Sequence, residues 1–306
     1  MPVGVVVMAY GTPRSPGDVE AYYTHIRRGR PPTPEQLADL QRRYDALGGV
    51  SPLAERTEAQ RAGVAAALGD GYRVVLGQKH AAPFIEDAVD ALAADGIDRI
   101  VGLVLAPHYS GFSVGEYQRR LTERAACHEH HIATAGIDSW HTEEAYLSFL
   151  AGAVTDALAR LPEKTKVMFT AHSLPERVLV GDPYPDLLAE SAAEVARRTG
   201  LNRWAGWGLA WQSAGRTPER WRGPDILEVI RELAATGRAD GVLVCAQGFV
   251  ADHLEVLYDL DIEAAGVAAE VGMDFARTRS LNDDPAVLAA LARRVADAVP
   301  AAPAAP

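Results

Sequence analysis

Cysteine is nearly absent from this chain. Its 306 residues include two cysteines, Cys127 and Cys245, and these do not form a Cys-x-x-Cys pair. This pattern excludes a disulfide framework and gives no cysteine-ligated zinc or iron–sulfur site. It is typical of a protein from a reducing compartment, so we expect the chain to be cytoplasmic.

Positive charge is also scarce. The 30 Lys and Arg residues are outnumbered by 41 Asp and Glu, which gives a net charge of -11 and an isoelectric point near 5.3. Nucleic-acid-binding proteins usually carry the opposite balance, so we expect no nucleic-acid partner. Long hydrophobic runs are missing too. The apolar start, MPVGVVVMAYGTP, has no basic flank and is too short for a signal peptide or a membrane span. We therefore expect no stable membrane insertion.

Phosphate-binding loops are a third absence. No Gly-x-Gly-x-x-Gly follows a predicted strand, and no Gly-x-x-x-x-Gly-Lys-Ser/Thr loop occurs. A backbone cradle for phosphate is therefore not indicated, and a nucleotide-binding α/β enzyme is disfavoured despite a similar layer pattern.

What the sequence does contain is an alternation of short apolar, β-branched runs with longer amphipathic segments. This pattern is typical of βαβ units around parallel sheets. We predict two α/β domains, 1–145 and 146–283, with the final helix, 284–300, packing back on the first. The predicted strands are Val3–Val7, Arg73–Leu76, Ile100–Leu105, Ile132–Ile137, Lys166–Thr170, Ala205–Ala210 and Gly241–Cys245.

Polar and aromatic residues follow nearly every predicted strand. Ligands of open parallel sheets bind outside the carboxyl ends of the strands, so we expect these segments to surround one cleft. In chain order they are MAYGTP, QKHAAPF, APHYSGFS, DSW, AHSLPERV, WQSAG and AQGFVADHLE.

The last of these segments continues into ADHLEVLYDLDIE, residues 251–263, with five carboxylates and no Lys or Arg. At about 100° per residue, an α-helix places Asp252, Glu255, Asp259 and Glu263 on one face, which we call the acidic ridge. A helix dipole explains acids in the first turn, but not Asp259 and Glu263 further in. Carboxylates also supply hard ligands for divalent cations and accept protons.

His172 follows another predicted strand, in AHSLP. A lone histidine there is usually a turn residue bonded to local backbone. Imidazole is also a base near pH 7 and a common ligand of divalent metals. Because both segments follow strand ends, we expect His172 to face the acidic ridge and to share a metal and proton site with it.

The segment YYTHIRRGRPP, residues 22–32, crowds Arg27, Arg28 and Arg30 beside two tyrosines. One interpretation is a helix C-terminus whose dipole favours cations. The other is a clamp for carboxylates, which guanidinium groups bind bidentately. With Tyr10 and Trp211 as flat apolar walls, the features favour a flat ligand with peripheral carboxylates, such as a porphyrin acid. Each aromatic residue alone is more often part of a core.

These motifs together resemble the ferrochelatase family, and within it the soluble type of Gram-positive bacteria that metallates coproporphyrin III. The resemblance runs nearly end to end, and the order of the motifs is what makes it specific. They are MAYGTP, YYTHIRRGR, GGVSPLAERTEAQ, KHAAPFIEDAV, LAPHYSGFSVGEY, AHSLPERV, GDPYPD, WQSAG, WRGPD and GFVADHLEVLYDLDIE.

The resemblance implies two Rossmann-like domains, each a parallel sheet flanked by helices, with the porphyrin in the cleft between them. It implies insertion of Fe(II) with release of two pyrrole protons and no organic cofactor. Because the tail after LNDDPAVLAALARR has no cysteine, we expect no iron–sulfur cluster. The expected protein is a monomer that makes only transient contact with neighbouring enzymes of haem biosynthesis.

The resemblance also assigns roles to residues. His172 and Glu255 match the family's catalytic pair, which binds the metal and takes up protons. Asp259 and Glu263 match acids of a metal or proton path. The expected porphyrin-binding residues are Tyr10, facing the product iron from the opposite side, Arg27, Arg28, Ser51 and Lys79 near the propionates, and Tyr117 and Trp211.

Two other functions stay open on the sequence alone. One is insertion of iron into protoporphyrin IX. The other is non-catalytic transport of haem or a metal on the same scaffold, although a carrier gives no reason for a base beside a row of acids.

Overall fold

The computed structural model describes residues 2–202, 206–215 and 217–301. They form two compact units, Met1–Trp140 with Asn282–Pro306, and His141–Leu281. The division comes just before the helix Glu144–Leu158, whereas the sequence-based boundary at residue 145 falls in the first turn of that helix.

The described part of the chain contains eight strands. They are β1 Val3–Ala9, β2 Tyr72–Gln78, β3 Arg99–Val104, β4 Ala133–Ile137, β5 Thr165–His172, β6 Trp207–Gln212, β7 Gly241–Cys245 and β8 Asp274–Arg277. Seven correspond to predicted strands, although Ala205, the predicted start of the sixth, lies outside the described residues. The sequence does not predict β8, because its four residues, DFAR, include two charges and no apolar run.

The helices alternate with these strands along the chain and flank the two sheets. They are α1 Val19–Ile26, α2 Pro34–Asp45, α3 Leu53–Leu68, α4 Ile85–Ala94, α5 Val114–Ala125, α6 Glu144–Leu158, α7 Tyr184–Arg198, α8 Ile226–Ala235, α9 Leu254–Leu257, α10 Ala265–Glu270 and α11 Pro285–Asp297. A π-helix, Asp259–Ala264, joins α9 to α10. No helix among the described residues has the length and apolar character needed to cross a membrane.

Each unit contains one four-stranded parallel sheet. The strand order is β2-β1-β3-β4 in the first unit and β6-β5-β7-β8 in the second. Strands β1 and β7 are buried at every position, as expected where helices cover both faces of a parallel sheet. The predicted class, two α/β domains each built on a parallel sheet, is confirmed.

The final helix, α11, packs against α3 in the first unit. Gly63 on α3 permits this close approach, because a Cβ atom added there would lie 2.4 Å from Cδ1 of the buried Leu288. The contact explains why a helix from the far end of the sequence belongs to the first unit.

The Gly63 contact predicts opposite effects for two Gly→Ala changes in helix interiors. Gly63→Ala should lower the free energy of unfolding by about 1–3 kcal/mol, because the new methyl group forces Leu288 out of its position. Gly152→Ala, in α6, should raise it by about 0.5–1 kcal/mol, because nothing lies within 4 Å of the added Cβ. Urea unfolding of both variants beside the wild type measures the difference, and two stabilised variants would show that the α3–α11 contact adjusts without cost.

Candidate active site

His172 is the last residue of β5, so the buried strand carries it to the carboxyl end of the second sheet. Its Nδ1 lies 2.5 Å from the carbonyl oxygen of Ser173. A carbonyl only accepts hydrogen bonds, so Nδ1 carries a proton and Nε2 is left for a second partner.

That partner is Glu255, in the first turn of α9. Its Oε1 lies 3.5 Å from Nε2 of His172, and its Oε2 lies 3.6 Å from Nε2 of His253. The Nδ1 of His253 donates to the carbonyl of Ala251 at 3.0 Å, which turns its Nε2 toward the same carboxylate. Glu255 therefore lies between two imidazoles.

A buried amide connects this carboxylate's backbone to the sheet. Gln212, at the end of β6, donates from Nε2 to the carbonyl oxygen of Glu255 at 3.1 Å. The Oε1 of Gln212 accepts from the hydroxyl of Thr170 at 2.8 Å, which fixes the orientation of the amide. The start of α9 is thus held in register with β5 and β6.

The charges of His172 and Glu255 reinforce each other. Burial alone would lower the pKa of His172, but the adjacent Glu255 carboxylate outweighs burial and raises that pKa to about 9. Burial would likewise raise the pKa of Glu255, but His172 and then His253 hold it well below its usual range. Near pH 7 the two side chains form an imidazolium–carboxylate pair.

The acidic ridge is only partly as predicted. The segment is not one regular α-helix, since a π-helical bond joins the amide of Glu263 to the carbonyl of Tyr258 at 3.0 Å. Asp259 is buried, at 7% exposure, and accepts a hydrogen bond from the hydroxyl of Ser213. The placement of Asp252 on the ridge is wrong, because it precedes α9 and pairs with Arg277 at 3.2 Å.

The predicted metal residues are therefore not assembled into a closed site. His172 and Glu255 are within ion-pair distance of each other. However, across residues 2–202, 206–215 and 217–301, no three His, Cys, Asp or Glu side chains are arranged to hold a metal ion together.

Trp211 does not form an open wall in the second unit. It lies on β6 at 4% exposure and packs in a core cluster with Tyr184, whose ring centroid is 5.9 Å away. The guanidinium carbon of Arg222 lies 5.9 Å from the centroid of the Trp211 ring.

In the first unit, Arg27 and Arg28 lie at the C-terminal end of α1. Arg27 is the C-cap residue and donates from Nε to the carbonyl of Arg30 at 3.2 Å. Arg28 is exposed and has a positive φ of 57°. Their position fits the helix-dipole interpretation, and their side chains also remain accessible to an anionic ligand.

Three other predicted porphyrin-binding residues are already engaged within the first unit. Lys79, at 11% exposure, forms an ion pair with Glu116 at 2.6 Å and lies over the ring of Tyr117. Tyr117 is buried in a core cluster of the first unit. Ser51 is buried and accepts a hydrogen bond from the amide of Leu53 at the start of α3.

Tyr10, by contrast, is exposed just after β1, and its ring centroid lies 4.6 Å from that of His80. The Nδ1 atoms of His80 and His25 are 3.0 Å apart, so one donates and the other accepts. Burial, together with the charges of Lys79, His25 and Arg120, lowers the pKa of His80 to about 3.

Sequence reasoning leaves His253, Gln212 and the His25–His80 pair without a role. The signal for His253 is its place two residues before Glu255, and the signal for Gln212 and His80 is their place in the strand-end segments WQSAG and QKHAAPF. Nothing in the sequence indicates the His25–His80 contact.

A family model described as Ferrochelatase matches residues 2–299. Coproporphyrin III ferrochelatase of Halalkalibacterium halodurans is 43% identical over 303 residues and covers 95% of each chain. Coproporphyrin III ferrochelatase of Bacillus subtilis is 42% identical over 300 residues, 95% of this chain and 96% of that protein. Ferrochelatase of Herpetosiphon aurantiacus is 44% identical over 291 residues, 92% of this chain and 94% of that protein.

Two solved structures have a similar fold. SirB from Bacillus subtilis with Fe3+ has a TM-score of 0.60 at 12% identity and covers 97% of this chain and 96% of its own. CbiX, the terminal enzyme for biosynthesis of siroheme in denitrifying bacteria, has a TM-score of 0.55 at 15% identity and covers 97% and 99%. At these identities the likeness extends to the fold alone.

Proposed function

The chain belongs to the ferrochelatase family, and we propose that it inserts Fe(II) into coproporphyrin III as a metal chelatase of haem biosynthesis. The reaction forms Fe-coproporphyrin and releases the two pyrrole protons. The observation that carries the proposal is the pair formed by His172 and Glu255, 3.5 Å apart at the end of a sheet.

The charge state of this pair supports a role in exchanging a cation for protons. At neutral pH His172 already holds a proton, because Glu255 raises its pKa to about 9. An arriving Fe(II) must displace that proton to reach Nε2, and the ionised Glu255 favours the cation. When the iron moves into the ring, its charge leaves the pair, one pyrrole proton takes its place on His172, and the second pyrrole proton is released to solvent.

The open arrangement of acids also supports transfer rather than storage. Structural metal sites are closed by a full set of protein ligands, which makes release slow. Among the described residues no three His, Cys, Asp or Glu side chains are arranged to hold a metal ion together, so a metal bound by His172 and Glu255 would keep positions for other ligands. Asp259 and Glu263, further along the segment, are proposed to form a path that delivers the metal to His172 and Glu255 or carries protons away from them.

For the porphyrin, Arg27 and Arg28 are the preferred partners of the propionates, because they lie at the end of α1 with side chains open to a ligand. Tyr10 is proposed as the residue that meets the product iron, since its ring is 42% exposed. Lys79 would have to leave Glu116 to bind a propionate. Ser51, Tyr117 and Trp211 are then proposed to shape the surrounding surface from within the fold.

We propose that the enzyme needs neither an organic cofactor nor an iron–sulfur cluster. Burial raises the pKa of the Cys245 thiol to about 12, so this residue is a poor source of a thiolate ligand. Cys127, the other cysteine, is exposed in the first unit. We further propose a cytoplasmic monomer whose contacts with other enzymes of the pathway are transient.

The substrate is tested by anaerobic addition of Fe(II) to coproporphyrin III and, in parallel, to protoporphyrin IX. With the enzyme present, the multi-band spectrum of coproporphyrin should change to that of a metalloporphyrin, and kcat/KM should exceed that for protoporphyrin by at least about tenfold. Four carboxylates give the former more charge to pair with the arginines than two do. Equal rates with both porphyrins would contradict the substrate assignment, and tight binding of Fe-coproporphyrin without insertion would favour a carrier.

A further inference from the structure

The segment that carries Glu255 and Asp259 is built from two short pieces. Helix α9 has 4 residues, and the π-helix that follows has 6. Helices this short are not stable by themselves, and π-helical turns are rare because their geometry is strained. The positions of both carboxylates therefore depend on the contacts that hold this segment against the rest of the second unit.

One side of the segment is held by apolar packing. Val256, Leu260 and Ala264 are fully buried in the core that also includes residues of β7 and α8. Burial of apolar surface is non-directional, so it anchors the segment without fixing the place of its polar atoms.

The polar side of the segment is held by the guanidinium group of Arg277, in addition to the contacts of Gln212 with Glu255 and of Ser213 with Asp259. Arg277, at the end of β8, donates from Nε and Nη2 to the two carboxylate oxygens of Asp261 at 2.6 and 3.0 Å. Its Nη2 also lies 3.2 Å from Oδ1 of Asp252, which accepts a further hydrogen bond from Ser280 at 2.8 Å. The Nη1 of Arg277 donates to the carbonyl of Thr278 at 3.1 Å, which orients the guanidinium plane.

In the sequence, the two aspartates that Arg277 binds flank Glu255 and Asp259. Asp252 precedes Glu255 by three residues, and Asp261 follows Asp259 by two. The Arg277 side chain is 16% exposed, so its charge-assisted bonds are less screened than those of a surface pair.

We infer that Arg277 is a positioning residue for the iron insertion proposed above: by holding Asp252 and Asp261 together, it fixes the segment that presents Glu255 and Asp259. It acts through these aspartates and does not itself touch either carboxylate of the site. The inference rests on the proposed function for its kinetic consequence, but the hold on the segment is a property of the fold.

The planar fork of arginine is essential to this role. Two parallel N–H bonds to Asp261 leave another N–H for Asp252, whereas lysine supplies one point charge on a flexible stem. Arg277→Lys should therefore recover only part of what Arg277→Met loses. Arg279→Met is a matched control, because Arg279 lies two residues further along and stacks over Phe149 at 4.0 Å instead.

The experiment compares these three variants in the full-length protein by amide hydrogen exchange and by steady-state kinetics. In Arg277→Met, exchange should rise across residues 254–264. Its kcat should fall between about tenfold and about 100-fold while KM for the porphyrin stays within about twofold. Arg279→Met should leave both readouts at wild-type values. If Arg277→Met is too unstable to purify, Arg277→Lys and Asp261→Asn carry the test.

The two possible failures are distinguishable. If the wild type inserts no iron, the proposed function fails, and the exchange experiment still tests the hold of Arg277 on the segment. If the wild type is active, unchanged kcat in Arg277→Met overturns the positioning role, whatever the exchange shows. Full recovery of kcat by Arg277→Lys overturns it as well, because only the planar guanidinium group can bind Asp252 and Asp261 at the same time.

Discussion

Replacing His172 with alanine or Glu255 with glutamine should each reduce the rate of iron insertion by at least about 10²-fold, while coproporphyrin still binds. The factor is that expected for loss of a residue that transfers a proton in the rate-determining step. Each change also removes one of the two groups proposed to receive the cation, and each leaves the other without its partner at 3.5 Å. Because the two residues act as a unit, the double variant should be little slower than either single variant.

A similar pair elsewhere in the second unit provides a matched control. His141 Nε2 lies 2.9 Å from Glu190, so Glu190→Gln changes a carboxylate beside a histidine just as Glu255→Gln does. Its kcat should stay within about twofold of the wild type, because this pair lies outside the candidate active site. Porphyrin binding is followed by fluorescence quenching and insertion by absorbance. Wild-type rates in both His172→Ala and Glu255→Gln would show that the pair has no part in the reaction.

Most of the fold could be predicted because its strands are buried on both faces. In β1 and β7 every residue is buried, so the sequence shows an apolar run with no polar alternation. Strand β8 carries the opposite pattern, since it is a four-residue edge strand with Asp274 and Arg277 at its ends. Its place beside β7 results from tertiary pairing, for which the local sequence carries no pattern.

The contact between His172 and Glu255 was predictable for a related reason. Strands β5 and β7 are parallel neighbours, so the segments that follow them begin at the same edge of the sheet. The sequence could not indicate the ion pair between Arg277 and Asp252, because two residues that are distant in sequence have no characteristic spacing. The π-helix has the same limitation, because helical periodicity alone does not distinguish it from an α-helix.

Similar reasoning explains the residues of the first unit. A lysine beside a histidine at a strand end indicates an available cation, yet Glu116 on α5 neutralises Lys79 at 2.6 Å. That contact depends on how α5 packs beside the sheet. The exposed side chains of Tyr10 and Arg28 are therefore better candidates for a ligand than the engaged Lys79.

Binding of a divalent metal at His172 should become stronger with rising pH, by about 100-fold between pH 6.5 and pH 8.5. Burial opposes protonation of His172, but the Glu255 carboxylate outweighs burial and raises the pKa of His172 to about 9. Most of the Nε2 atoms therefore carry a proton throughout this range. A metal that binds Nε2 must displace this proton, which weakens apparent affinity about tenfold for each pH unit below the pKa. Glu255 adds no slope here, because its pKa is held well below its usual range and it stays ionised.

Zn(II) is a suitable probe, because it needs no anaerobic handling and binds both imidazole and carboxylate. Calorimetric titration in buffers of different ionisation enthalpy should give about one proton released per metal bound at pH 7. His172→Ala should lose both the proton release and the pH slope, while Glu190→Gln should keep both. Glu255→Gln should bind more weakly and release less than one proton, because His172 without the carboxylate has a lower pKa and is partly neutral beforehand. A pH-independent affinity in the wild type would mean that the metal does not compete with a proton on His172, and the exchange of cation for proton at this pair would have to be abandoned.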